Sequence, residues 1–106
     1  MARTLINVPT TAKRGDVIEI KTLISHPMES GYRVGTNGAM IPRDIIRQFV
    51  CTYNGEDVFR AELSPAIAAN PFISFFTVAT ESGTITFEWR GDNGFAASET
   101  APITVE

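Results

Sequence analysis

The chain has 106 residues, 43% of them apolar, with a formal net charge of -3. That is enough for one domain with one core and too little for two. Aromatics at 9% and charged residues at only 20% argue against intrinsic disorder. The mildly acidic balance argues against a nucleic-acid surface, which needs clustered Lys and Arg. No apolar run approaches the roughly 20 residues needed to span a bilayer as a helix. A single cysteine leaves no internal disulfide, and a single histidine, His26, excludes a site with two or more histidine ligands. Met1-Ala2-Arg3-Thr4-Leu5 shows no charged segment leading into an apolar stretch, so a cytoplasmic or co-exported domain is expected.

Short alternating runs separated by turn residues dominate the chain, which predicts an all-β sandwich of about seven strands, immunoglobulin-like in spacing. A first strand covers Thr4 to Val8 and stops at Pro9. Arg14-Gly15-Asp16 turns into a strand at Val17 to Ile24, with Ile18, Ile20, Thr22 and Ile24 on one face. His26-Pro27 ends it, because proline supplies no ladder donor. Residues 28–44, with Gly31, Gly35, Gly38 and Pro42, form the longest irregular stretch, and a connection this long in a small domain is usually functional.

A hairpin follows, from about Ile45 to Tyr53 and back through Asp57 to Leu63, closed by Asn54-Gly55. Phe49, Cys51 and Tyr53 form one apolar stripe, and Phe59, Ala61 and Leu63 the matching one. After a loop at 64–71, strands are expected at Phe72 to Thr80, at Thr84 to Arg90 and, interrupted at Pro102, from Phe95 to Val105. The whole chain, residues 1–106, reads as one domain.

Few residues carry chemistry. His26 and Cys51 are the only pair that could form a Cys-His nucleophile, and nothing in the sequence brings them together. Cys51 runs in phase with Phe49 and Tyr53, so it reads as a buried small hydrophobe. His26, at a strand end before Pro27, reads as a turn or cap hydrogen-bonding residue. Arg-Gly-Asp occurs at 14–16 and again at 90–92, but Gly beside Asp at strand ends is ordinary turn chemistry. Carboxylates are spread singly, and no glycine-rich phosphate loop precedes a helix. The expectation is no catalytic residue, no metal and no cofactor.

The unusual run is Pro71 to Ala79. Phe72, Phe76 and Val78 share one face and Ile73 and Phe75 the other, whereas a sandwich strand buries only one face in its own core. A tight hairpin at Ser82-Gly83 would turn Phe76 and Val78 inward, beside Phe87 and Trp89. A crossover between sheets at that point frees the phase, and the sandwich topology favours the crossover. Phe72, Phe76 and Val78 are therefore the first candidates for a partner contact, because exposed aromatic patches mark association surfaces.

The segments His26-Pro27-Met28-Glu29-Ser30-Gly31, Ile41-Pro42-Arg43, Cys51-Thr52-Tyr53-Asn54-Gly55 and Ala69-Asn70-Pro71-Phe72 resemble the SoxZ family. Glu81-Ser82-Gly83-Thr84 and Trp89 with Asp92 and Gly94 match it as well, in order and over nearly the whole chain. Ser30, where the family pattern has threonine, and Gly91, where an acidic residue is common, depart from it; both lie in turns, where little effect is expected. The resemblance implies a non-enzymatic subunit of a thiosulfate-oxidation carrier, bound in a heterodimer to SoxY, whose Gly-Gly-Cys-Gly-Gly terminus carries the sulfur intermediates. This chain ends Ala101-Pro102-Ile103-Thr104-Val105-Glu106, so the carrier thiol is expected from the partner.

The resemblance further implies transient docking to a c-type cytochrome, a sulfate-releasing hydrolase and a sulfur dehydrogenase. It also implies a periplasmic location reached by export with the partner. Met28, Tyr32, Met40 and Ile41 in the 28–45 segment are a second candidate contact, and the isolated chain is expected to form a homo-oligomer when its apolar flank lacks cover. The competing readings are a structural or adhesive sandwich module and a carrier subunit of another oxidation system.

Overall fold

Period-two burial organises the chain into eight strands in a computed structural model that describes residues 3–106. Met1 and Ala2, the start of the segment read above for a secretion signal, lie outside the described residues. The strands are β1 (Thr4–Asn7), β2 (Thr11–Ala12), β3 (Val17–Ile24), β4 (Ile46–Tyr53), β5 (Glu56–Glu62), β6 (Phe72–Val78), β7 (Gly83–Gly91) and β8 (Ala96–Val105). They form a three-stranded sheet in the order β1-β3-β6 and a five-stranded sheet in the order β2-β8-β7-β4-β5. The expected all-β sandwich is present, with the two-residue β2 as the strand that sequence alternation could not register.

The core lies between the sheets. Ile18, Ile20, Thr22 and Ile24 of β3 face Phe49, Cys51 and Tyr53 of β4 and Ile85, Phe87 and Trp89 of β7, all buried. Phe49 is the hub, with ring centroids 5.3 Å from Trp89, 6.1 Å from Phe59 and 6.2 Å from Phe75. At the β5/β6 margin, Phe59 and Phe75 stack at 4.4 Å and 8° across the gap between the sheets. That stack fixes the phase of β6: with Phe75 inward, the even-numbered residues of β6 must face out.

Two sequence expectations change. β8 runs unbroken through Pro102. Thr104 and Glu106 direct their N–H groups to Thr10 and Ala12, so position 102, in phase with them, directs its absent N–H to the same side, beyond the end of β2. Gly91, read as a tolerant turn position, instead closes β7 where a Cβ would lie 2.4 Å from the Ile45 carbonyl oxygen.

The family motifs meet in space as staples. Asn70, at a positive φ of 54°, accepts from the His26 N–H through Oδ1 and donates its own N–H to the His26 carbonyl. The Tyr53 hydroxyl donates to the Glu81 carbonyl and accepts from the N–H groups of Thr80 and Glu81. Asn54 Oδ1 accepts from the Thr84 N–H, and its amide nitrogen donates to the Ser82 carbonyl, directly over Gly83. Both Arg-Gly-Asp tripeptides are absorbed into such turns. Asp16 accepts from the Lys13 N–H, and Asp92 is held by Arg43.

The molecule is slender. Its radius of gyration is 16.1 Å, against about 13 Å for a compact chain of this size. A long thin sandwich keeps a large share of its apolar side chains at the surface.

Candidate partner interface

Register and parity build an apolar surface on the outer face of β1-β3-β6. Leu5, Leu23 and Phe72 lie side by side across the three strands at one end. At the other end Val17 pairs with Val78, and Phe76 lies opposite Glu19. Phe72, Phe76 and Val78 are 61%, 64% and 45% exposed, and Leu5 and Val17 are each 68% exposed. Between the two apolar ends lie Ser74 and an exposed Glu19–Lys21 ion pair of 3.7 Å. The crossover between sheets after β6 is present, and all three β6 candidates face outward. Leu5 and Val17, which are not among the candidates read from the sequence, share this exposed face, each alternating out of phase with its strand's buried set.

The 28–44 segment forms a flap rather than a featureless loop. Glu29 pairs with Asp44 at its base and Val34 with Met40 near its tip, and the Ile41 N–H donates to the Arg33 carbonyl. Tyr32, Val34 and Met40 are exposed on it, and Ile41 is half-buried. Arg33 pairs with Glu29, and this hydrogen bond holds the Glu29 carboxyl below its ordinary range. Met28 does not belong with the other flap candidates. It is only 6% exposed, lies in the core, and its thioether accepts the Ile46 N–H at 3.2 Å. A left-handed backbone at Met28 (φ 50°) turns its side chain inward, and the His26 Nδ1 holds that turn by accepting the Met28 N–H at 2.9 Å.

At the flap's C-terminal base, Asp92 accepts two hydrogen bonds from Arg43 and one from the Ile45 N–H, and Arg47 approaches to 3.8 Å. The Arg43 hydrogen bond outweighs an upward push from desolvation and, with smaller help from the Ile45 N–H and the charges of Arg43 and Arg47, holds the Asp92 carboxyl below its ordinary value. The flap is therefore tied at both ends to the sandwich.

Burial sets the state of Cys51. The thiol is fully buried between β5 and β7, and burial pushes it up to about 12. His26 is buried at the far end of β3, its ring edge-on to Phe95 at 4.8 Å. Among the described residues no group of three or more His, Cys, Asp or Glu side chains is placed to hold a metal ion, and no helix is long and apolar enough to cross a membrane.

Residues 6–102 match the protein family described as sulphur oxidation protein SoxZ. No curated protein matches the sequence. Among solved structures, the chain is similar to a superoxide reductase (neelaredoxin) from Ignicoccus hospitalis. The TM-score is 0.75 at 17% identity, covering 97% of this chain and 80% of that one. It is also similar to the sulfur carrier protein SoxY from Chlorobium limicola f. thiosulfatophilum, with a TM-score of 0.67 at 11% identity, covering 97% of this chain and 78% of that one. At these identities the likenesses establish a shared fold and nothing about chemistry.

Proposed function

The chain belongs to the SoxZ family, and from that premise we propose that it is the non-catalytic subunit of a sulfur-carrier heterodimer with SoxY in periplasmic thiosulfate oxidation. The observation that carries this reading is the outer face of β1-β3-β6. A slender domain that leaves Leu5, Val17, Phe72, Phe76 and Val78 in water has an apolar surface suited to permanent cover by another subunit. Tyr32 and Met40 of the flap extend the same requirement to a second surface.

The state of Cys51 supports the assignment of the carrier thiol to the partner. A thiol at about 12 holds almost no thiolate near neutral pH, and thiolate is the form that takes part in sulfur exchange. The opposite side of the domain is different in character. The outer face of the five-stranded sheet carries Gln48, Arg60, Thr86, Glu88, Arg90 and Ser98, a polar surface suited to transient docking by the oxidising enzymes. Export with the partner into the periplasm completes the proposal.

Mass spectrometry of the complex purified from its native source tests the reading, the expected result being a second chain with sulfur adducts on a terminal cysteine. Phe76→Asp or Val78→Asp should split the heterodimer on size exclusion at low concentration, because a desolvated charge in an apolar contact is costly. A fully dimeric variant pair would remove β6 from the interface. Sulfane sulfur on Cys51, or thiosulfate turnover by the single chain, would overturn the proposal as a whole.

A further inference from the structure

The backbone of β6 carries information that its side chains do not. The β3–β6 register runs without a shift from Val17↔Val78 to Leu23↔Phe72. At one end the Ile24 N–H donates to the Pro71 carbonyl, and at the other the Ala79 N–H donates to the Asp16 carbonyl. Both contacts extend the same register, and hydrogen-bonded pairs alternate along an antiparallel ladder. Ile73, Phe75 and Thr77 therefore turn their N–H and C=O groups toward β3. Phe72, Ser74, Phe76 and Val78 turn theirs away from it, to an edge with no neighbouring strand among the described residues.

This edge is unlike the others. β1 has four residues and β2 only two. β5, the outer strand of the five-stranded sheet, carries Glu56, Asp57, Arg60 and Glu62, and its ladder with β4 is broken by a register shift at Cys51/Thr52. Short length, charges and bulges are the devices that keep a sheet edge from pairing with another chain. β6 has none of them: seven residues, Phe-Ile-Ser-Phe-Phe-Thr-Val, without a charge, a proline or a bulge. Three of the four residues offering free backbone groups, Phe72, Phe76 and Val78, also expose apolar side chains on the adjoining outer face.

We propose that the free edge of β6 receives a strand from the partner subunit, so that the sheet β1-β3-β6 continues into the partner. This rests on the heterodimer reading above and specifies how the subunits join. Four edge residues alone cover far less than the roughly 800 Å² per partner of a stable interface. The occupant is therefore a folded body that reaches over the edge onto Phe72, Phe76, Val78 and Val17, not an isolated peptide. The fold likeness to SoxY fits such a body, because a sandwich of the same architecture presents sheet edges of its own. Backbone pairing supplies the register, and the alternate aromatic side chains supply the selectivity.

Amide hydrogen exchange, followed by NMR on this chain alone and in the co-expressed heterodimer, reads the pairing directly. The expected result is alternating: the amides of Ile73, Phe75 and Thr77 are slow in both, and those of Phe72, Ser74, Phe76 and Val78 become at least about tenfold slower only in the heterodimer. Ser74→Pro removes one outward N–H without touching the β3 ladder, and should weaken the heterodimer by at least about tenfold while Ser74→Ala leaves it intact. Should Ser74→Pro fail to fold, the exchange pattern of the native pair decides alone. A heterodimer that Phe76→Asp splits, but whose four outward amides exchange as in the free chain, would overturn strand addition and leave the heterodimer reading standing. Failure of the native chains to associate at all would remove that reading first. Alternating protection in the isolated chain that rises with its concentration would assign the edge to a second copy and overturn the proposal.

Discussion

The Arg43 guanidinium grips the Asp92 carboxylate through two hydrogen bonds of 2.9 and 3.0 Å, joining residues 49 positions apart. One end of the pair closes the flap and the other caps the β7–β8 connection, so a single carboxylate ties the segment to the sandwich. Because this contact holds the Asp92 carboxyl below its ordinary value, its contribution to stability is complete above the ordinary carboxylate range and is lost as pH falls through the depressed value. Thermal melts of the native chain and Asp92→Asn should differ at neutral pH and converge in acid. Parallel curves would show that Asp92 contributes nothing through its charge.

Gly91 offers a sharper test of local geometry. A side chain there would place its Cβ 2.4 Å from the Ile45 oxygen and 2.9 Å from the Ile46 Cα, both backbone atoms that cannot swing aside. Gly91→Asp, although it restores the residue type common in the family pattern, should destabilise this chain by about 2 kcal/mol or more in denaturant unfolding. A neutral result would mean that the β4–β7 register shift between Ile46 and Gln48 can relax to admit it.

Met28 and Met40 lie in one flap and should respond oppositely to truncation. Met28→Ala removes a buried thioether from the core and the acceptor of the Ile46 N–H, and should cost about 2–4 kcal/mol. Met40→Ala, at an exposed position, should fall within about 0.5 kcal/mol of the native chain. Equal effects would contradict the place of Met28 in the core.

Thiol labelling of the native chain should proceed only through opening of the core, since Cys51 is fully buried and pushed up to about 12. The labelling rate should fall with added stability, and the carrier function proposed for the heterodimer should survive Cys51→Ala. Fast labelling under native conditions would show an accessible thiol and reopen a chemical role for it.

The parts of the molecule legible in the sequence are those where alternation decides the outcome. Ile18, Ile20, Thr22 and Ile24, the Phe49-Cys51-Tyr53 stripe and the Asn54-Gly55 turn could be placed because burial on one face leaves a period of two. Sandwich topology only frees the phase of Phe72, Phe76 and Val78 from the following hairpin, and the Phe59–Phe75 stack that turns them outward is a contact between sheets with no local trace. Pro102 misled because strand preference forbids proline only where a neighbour needs its N–H, and β2 is too short to need it. Met28 misled because a left-handed residue reverses the direction that a loop position suggests. The motifs carrying the family resemblance were legible as strings, whereas their shared task of fastening distant turns together emerged only when His26 met Asn70 and Tyr53 met Glu81.

The face-to-face rings of Phe59 and Phe75 have a mechanical consequence. They rivet the two layers together at the β5/β6 margin, so a load applied to one layer there must shear an aromatic contact before the other layer lets go. A body gripped along that rim would be held by a stiff bracket, and its orientation would be set by the wall of the sandwich instead of wandering with a loose strand.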